Sequence, residues 1–315
     1  MRKKFLVYSL LPFVIVLHAL TEGFSGQSSA GAVLLKSPSA MAQSMAEAFV
    51  SMPADVGGVA SLRYNPASTA FLKNPEMSLM GRNGIADDTF GAMVFGRPTG
   101  WGSLSGSLSY YTMGSIDLAD PQGRTRSVRA EEDVAANLNY GKKIGKRLGL
   151  GFNLKALHSK LVDAFSSNAF AADVGAQLHR NRFSFGLAIL NLGTPLKYAN
   201  SAEPLPAAIE AGVSYKLSWN HSDVPQRLLL SFDVIKEMEE TLKKFSGLEY
   251  LWNDTIAFRL GSKFGHDSEQ LVMGAGFTVG RFQFDYDHFN LDEANGVHTV
   301  SATYKFAGNP APPKP

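Results

Sequence analysis

The sequence predicts an all-β protein: an antiparallel transmembrane barrel of the outer-membrane type, of about fourteen strands, preceded by an N-terminal helical or irregular segment. Three observations predict it. A cationic and then apolar leader marks the chain for export. From Glu76 onward apolar and polar side chains alternate with period two. The connections between the alternating stretches are short and long by turns.

The leader comes first in the chain. "MRKK" is followed by an apolar core from Phe5 to Leu20, then by polar and small residues ending in Ala30-Gly31-Ala32, which fits the small-x-small rule for signal peptidase. The core is shorter than the ~20 residues that a membrane-spanning helix needs, and Pro12 and His18 weaken it. Residues 1–32 therefore read as a signal peptide, cleaved after Ala30 or Ala32.

Composition agrees with export. Of the 30 basic and 28 acidic residues, Arg2, Lys3, Lys4 and Glu22 fall in the leader, leaving 27 of each sign. A neutral chain without a basic stripe offers no grip on nucleic acid. Charged residues are 18% of the chain, against roughly 25% in soluble domains, and 30 glycines punctuate it. The absence of cysteine removes thiol nucleophiles, Fe–S clusters and zinc ribbons.

Residues 33–75 carry helical or irregular text. "SAMAQSMAEAFVSM" (39–52) is Ala- and Met-rich, with Ser39 as a candidate N-cap and Pro53 as its stop. A small-residue run follows, with a turn signal at Asn65-Pro66.

Strands are predicted near 76–82, 88–97, 101–113, 131–143, 148–161, 169–180, 183–193, 206–218, 227–236, 246–252, 255–264, 270–279, 282–289 and 297–306. Most approach the ~10 residues of a tilted membrane strand. Tight turns after 97, 142, 180, 252 and 279 use Gly, Asn and Asp, which tolerate positive φ. The intervening connections 114–130, 162–168, 194–205, 237–245 and 290–296 are longer, and "WNHSDVPQ" (219–226) breaks the tight set. Within 237–245, "KEMEETLKKF" reads as a solvated helical turn.

Alternation by itself fits either a soluble β-sandwich adhesin or a barrel in lipid. Regular alternation of loop length has a reason only in the barrel, with short turns at one end and long loops at the other. On that reading Phe258 faces lipid and Arg259 faces the lumen. The lumen also receives Lys263, Asp285 and Asp287, either along a solute path or as structural ion pairs. The inward parity shows no continuous apolar path. Tyr304 and Phe306, aromatic and on one face of the last strand, resemble the signal read by the barrel-insertion machinery. That signal usually ends a chain, whereas here the Pro-rich residues 307–315 follow, read as a periplasmic tail.

No chemistry beyond this is legible. "GLGFNL" and "GAGFTVG" lie inside strands and miss the dinucleotide spacing, the histidines lack ligand spacing, and no G-x-S-x-G elbow occurs. The expectation is a non-enzymatic protein without cofactor or metal.

"AEAFVSMPADVGGVASLRYNPASTAFLKNPEMSLM" resembles the N-terminal hatch of FadL-like barrels, with Asp55, Tyr64, Asn65, Pro66 and Ala67 at the motif positions. "LGLGFNLKALHSKL", "FGLAILNLGTPLKY", "EPLPAAIEAGVSYKL", "FRLGSKF" and "TVSATYKF" are similar to the PorV/PorQ branch of that superfamily. The resemblance implies that the helical or irregular segment 33–75 is a hatch, a plug in the lumen of a barrel over 76–306. It implies an outer-membrane location in a diderm bacterium, with lipid and the insertion machinery as partners. For function it implies a PorV-like role in type IX protein secretion, docking or shuttling secreted proteins or secretion-system components. The alternative is a FadL-like channel for hydrophobic small molecules. The family branch and the polar inward residues favour the first expectation, while the short outer connections speak against fatty-acid capture and protein docking alike.

Overall fold

The computed structural model describes residues 30–84, 88–119, 123–199, 201–237, 241–265, 270–289 and 296–307. The expected leader up to residue 29 and the tail from residue 308 lie outside the described residues.

Sixteen strands follow the plug: β1 (Glu76–Asn83), β2 (Thr89–Pro98), β3 (Ser103–Ala119), β4 (Thr125–Ile144), β5 (Leu148–Leu161), β6 (Phe165–Arg180), β7 (Phe183–Gly193), β8 (Leu196–Tyr198), β9 (Ser201–Glu203), β10 (Ala208–His221), β11 (Val224–Glu237), β12 (Lys243–Trp252), β13 (Ile256–Phe264), β14 (Gln270–Val279), β15 (Phe282–Phe289) and β16 (Val297–Lys305). Fourteen of them close into one antiparallel barrel. β8 and β9 form a separate hairpin in the β7–β10 connection. Closure pairs β1 with β16, from Glu76 opposite Lys305 to Asn83 opposite His298. Every strand edge is thereby satisfied, which a bilayer demands.

Side-chain alternation divides lipid from lumen. Phe258 is 57% exposed on the outside and its neighbour Arg259 is 3% exposed inside. Phe152, Phe170, Leu138, Leu271 and Val300 continue the outer apolar surface. At the tight-turn end the outer face carries an aromatic girdle. Trp101 stacks on Tyr140 at 5.2 Å, Phe183 on Tyr215 at 4.9 Å, and Phe282 and Phe306 each meet Tyr304 at 4.7 Å. Such rings sit where headgroups meet hydrocarbon.

The tight turns, which mark the periplasmic end, are 99–102, 145–147, 181–182, 222–223, 253–255 and 280–281. The expected exception at 219–226 disappears: β10 runs to His221 and β11 starts at Val224, with Ser222 and Asp223 at φ 48° and 64°. Both central residues lie in the left-handed region, as a two-residue hairpin of matching twist requires.

Other boundaries move as well. Connection 114–130 is mostly ladder, since β3 and β4 stay paired out to Ala119 opposite Thr125. Beyond the bilayer both faces meet water, so polarity stops alternating while the hydrogen-bonded ladder continues. Connection 162–168 shrinks to 162–164, with Val162 and Asp163 at positive φ. Of the connection 237–245, where a helical turn is expected, residues 238–240 lie outside the described residues; β11 reaches Glu237 and β12 starts at Lys243, which pairs with Glu237 at 3.1 Å. The helix expected over 39–52 is a single short one, Ala40–Ser44, because Ala46 and Glu47 turn left-handed behind it (φ 53° and 68°). Ser39 caps it, accepting from Ala42 N at 3.4 Å.

Residues 30–75 lie inside the barrel as short helical turns: Ala32–Leu34, Ala40–Ser44, Ala54–Gly57, Gly58–Arg63 and Pro66–Phe71. The wall admits this backbone through glycines. At Gly186, Gly151 and Gly261 an added Cβ would collide with the main chain of Val50, Pro66 and Ala46 respectively. Glycine inside a strand here marks close approach by another backbone.

Candidate functional site

The site is the lumen and its plug, built from apolar packing in the outer half beside β1–β6 and from directional bonds to β1, β6, β10, β11 and β13 around the rest.

Polar contacts pin the middle of the plug. Glu47 meets Lys263 at 2.9 Å, Arg63 meets Glu210 at 3.6 Å, and Val50 N donates to Asp233 Oδ2 at 2.8 Å. Gln177 donates to Met52 O at 2.8 Å, and Val59 N donates to Glu76 Oε2 at 3.0 Å. Burial pushes the Glu47 carboxyl upward, but the charges of Lys263 and Arg63 outweigh it and hold the group below its ordinary range. At the periplasmic mouth Asp55 pairs with Lys216 at 2.6 Å. There too burial opposes, and the Lys216 hydrogen bond and charge keep the carboxyl low.

The other hatch residues act structurally. Tyr64 is wholly buried, 5.4 Å from Phe49, and its hydroxyl donates to Ser37 Oγ at 2.7 Å. Burial raises that hydroxyl's pKa well above the ordinary phenol value. Asn65 accepts from Ala67 N at 3.0 Å and donates to Val50 O at 2.9 Å and to Ala176 O of the wall at 3.0 Å. It thus caps the Pro66–Phe71 turn and ties two plug segments to β6, with Pro66 at the first helical position.

Arg259 lies in a wall network. Its Nε donates to Glu249 at 2.8 Å and its Nη1 to Asp285 at 2.8 Å, while Arg227 meets Glu249 at 2.7 Å. Lys263 faces the plug through Glu47. Asp287 is buried with neither carboxylate oxygen hydrogen-bonded. The structure therefore joins Arg259 to Asp285, joins Lys263 to the plug, and leaves Asp287 apart. Tyr304 and Phe306 lie on the lipid side at the periplasmic rim. A cavity of about 150 Å³ beside this network is lined by Asp55, Arg227, Arg259, Asp285 and Lys305.

The sequence reading missed a second polar cluster and an apolar chamber. Lys155 meets Asp173 at 2.7 Å and Asn191 Oδ1 at 2.7 Å, and Asn191 N donates to Asp173 Oδ1 at 2.7 Å. A bulge in β7 makes this possible: the β6–β7 register shifts between Ala172 and Val174, and both Leu190 and Asn191 turn inward, Asn191 at φ 59°. The chamber occupies the outer half of the lumen beside β1–β6. Phe90, Tyr111, Leu157, Leu196, Tyr198 and Leu205 surround Val33 and Leu34 of the plug. Where the sequence predicts no continuous apolar path, the outer half beside β1–β6 has an apolar lining of its own. In β2 Phe90 and Val94 face in while Met93 and Phe95 face out, so alternation carried no contrast to read. A cavity of about 40 Å³ adjoins Val33 and Leu34, with Lys36, Arg63 and Lys155 on its wall.

A closed barrel with an aromatic girdle, a lipid-facing apolar belt and a lumen filled by its own N-terminal segment is a plugged outer-membrane barrel. No family model and no curated protein matches the sequence. Among solved structures, the toluene transporter TodX of P. putida superposes with a TM-score of 0.54 at 9% identity, covering 80% of this chain and 95% of that one. The toluene transporter TbuX of Ralstonia pickettii gives 0.53 at 11% identity, over 84% and 98%. A Pseudomonas aeruginosa FadL homologue gives 0.48 at 11% identity, over 91% and 100%. At these identities the likeness is one of fold.

Proposed function

We propose that this chain is a non-enzymatic channel for small hydrophobic molecules in the outer membrane of a diderm bacterium, delivered there with a leader cleaved near Ala30–Ala32. The observation that carries the reading is the outer chamber. Phe90, Tyr111, Leu157, Leu196 and Tyr198 turn apolar surface into a lumen that a water-filled pore would line with polar groups. The Val33 and Leu34 side chains cover that surface by apolar packing, which an apolar solute can replace. The toluene transporters that share the fold support the same substrate class. Residues 33–75 act as the hatch over the path, and Tyr304 and Phe306 serve barrel insertion.

The test is uptake of labelled toluene by cells that carry this chain as their added outer-membrane barrel. Uptake should exceed that of control cells and fall to the control rate in Leu157→Asp, with the barrel still heat-modifiable on gels. Absence of uptake, together with co-purification of secreted proteins that share a C-terminal domain, would overturn this reading in favour of PorV-like protein handling.

A further inference from the structure

Among the buried carboxylates of the lumen, Asp133 stands out by what surrounds it. It is fully buried, its Oδ1 has no hydrogen-bond partner, and among the described residues it makes no ion pair. Glu131 stands two positions away on the same face of β4 and its carboxyl hydrogen-bonds that of Asp133, which brings a second acid and no positive charge. The nearby groups are Tyr111 and Ser159, opposite Asp133 on β3 and β5, with His158 next to Ser159. Lys36 is engaged over the Tyr111 ring, 4.5 Å from its centroid. A buried carboxylate without a counter-charge is strongly unfavourable. Besides Ser159 and Glu131 of the wall, Asp133 is approached from the plug: Val33 N donates to Asp133 Oδ2 at 3.5 Å, long for an amide.

We infer that the mature chain begins at Val33 and that its new α-ammonium group is the counter-ion of Asp133. The sequence allows cleavage after Ala30 or after Ala32. The structure separates the two sites by where each would leave a positive charge. A Cβ on Gly31 would lie 2.9 Å from Leu157 and 3.5 Å from Leu205, so an ammonium group at Gly31 would sit among apolar side chains. At Val33 it lies against Asp133, which has no cationic partner among the described residues. The step is hydrolysis of the Ala32–Val33 peptide bond by a leader peptidase: water adds to the Ala32 carbonyl carbon and the C–N bond breaks. Ala32 leaves as a carboxylate and Val33 N takes up protons to become an ammonium group. Because Val33 is buried in the finished barrel, the cut precedes folding. Contacts downstream of the cut remain to seat the new terminus: Arg63 Nη2 donates to Leu35 O at 3.1 Å, and Lys36 N to Val33 O at 3.4 Å. Loss of Ala30 to Ala32, two of which pack on the apolar cluster, also frees space against Leu157 and Leu205.

Intact mass and N-terminal sequencing of the protein recovered from outer membranes test the site. A chain starting at Val33 is expected, and a start at Met1, Gly31 or elsewhere overturns the inference. The pairing is tested by acylating amines at pH 7 and following the N-terminal peptide. A carboxylate that raises the α-amino pKa by one unit lowers the free amine about tenfold. Asp133→Asn should therefore acylate about tenfold faster than the native chain, and Glu131→Gln less so. An unchanged rate in folded Asp133→Asn overturns the pairing. If that variant does not fold, the native chain is compared before and after urea unfolding, where equal rates overturn it too.

Discussion

The outer chamber beside β1–β6 and the polar side of the lumen along β6, β10, β11 and β13 are both built from inward-facing positions of one barrel, yet they hold the plug by different physics. Around the chamber, the Val33 and Leu34 side chains are held by non-directional burial against Phe90, Tyr111 and Leu157, beside the single directional contact of Val33 N to Asp133. Along β6, β10, β11 and β13, residues 47–65 are held by ion pairs and hydrogen bonds to Gln177, Glu210, Lys216, Asp233 and Lys263. Apolar contacts can be exchanged for a ligand at little cost, because any greasy surface satisfies them. Buried polar contacts cannot, because each broken pair leaves an unsatisfied group in a low-dielectric setting. The chamber is thus the exchangeable region and the polar side is the anchor.

The largest effect should come from removing the anchor altogether. Deleting residues 40–74 should turn a blocked barrel into an open one, read as a large rise in single-channel conductance in planar bilayers. Unchanged conductance would mean that these residues do not block the lumen.

Next comes the wall network. Arg259→Ala strips Glu249 and Asp285 of a shared partner at 2.8 Å each and should destabilise the barrel by about 3–5 kcal/mol. Unfolding in urea, followed by the loss of the fast-migrating band on unboiled gels, measures it. A loss below that from a chamber substitution would erase the distinction between the two regions. Leu157→Ala supplies the comparison, with an expected loss of about 2 kcal/mol, at the low end for such truncations because a short plug segment can settle into the gap.

Asn65→Ala removes a cap and two donated hydrogen bonds, one to the wall, for about 1–2 kcal/mol. Its signature should be plug mobility, seen as faster amide exchange over 50–67, with the barrel strands unchanged.

The smallest effect is a pH dependence of the latches. Asp55 and Glu47 both have folded-state carboxyls held below their ordinary values. Their stabilisation is therefore fully present above the ordinary carboxylate range and is lost as the pH falls through the lower folded values. Exchange of plug amides should stay constant down to that range and quicken below it. Lys216→Ala should abolish the Asp55 part, a minor one because that pair is exposed to solvent at the mouth.

What the sequence determined by itself are the features that local chemistry fixes. Period-two alternation assigned Phe258 to lipid and Arg259 to the lumen, since a pleated strand permits no other arrangement. Asn and Gly at positive φ located the tight turns, as at Asn181 and Gly280. The Asn65-Pro66 pair announced a turn through Asn65's own capping side chain and the fixed φ of proline. Tertiary structure decided whatever depends on partners distant in the chain. The helix after Ser39 stops at Ser44 inside a lumen whose glycine-bearing wall lies against Met45 and Ala46, a limit that propensity does not contain. The bulge at Leu190–Asn191 reverses the inward parity of β7 because Asp173, on the neighbouring strand, takes the Asn191 N–H. Phe90 lines the chamber rather than meeting lipid only because the closed barrel fixes which face of an apolar-on-both-sides strand looks inward. Asp133 became informative only when folding set a plug nitrogen 100 residues away beside it, because a carboxylate's need for a counter-charge arises from burial and no sequence pattern records burial.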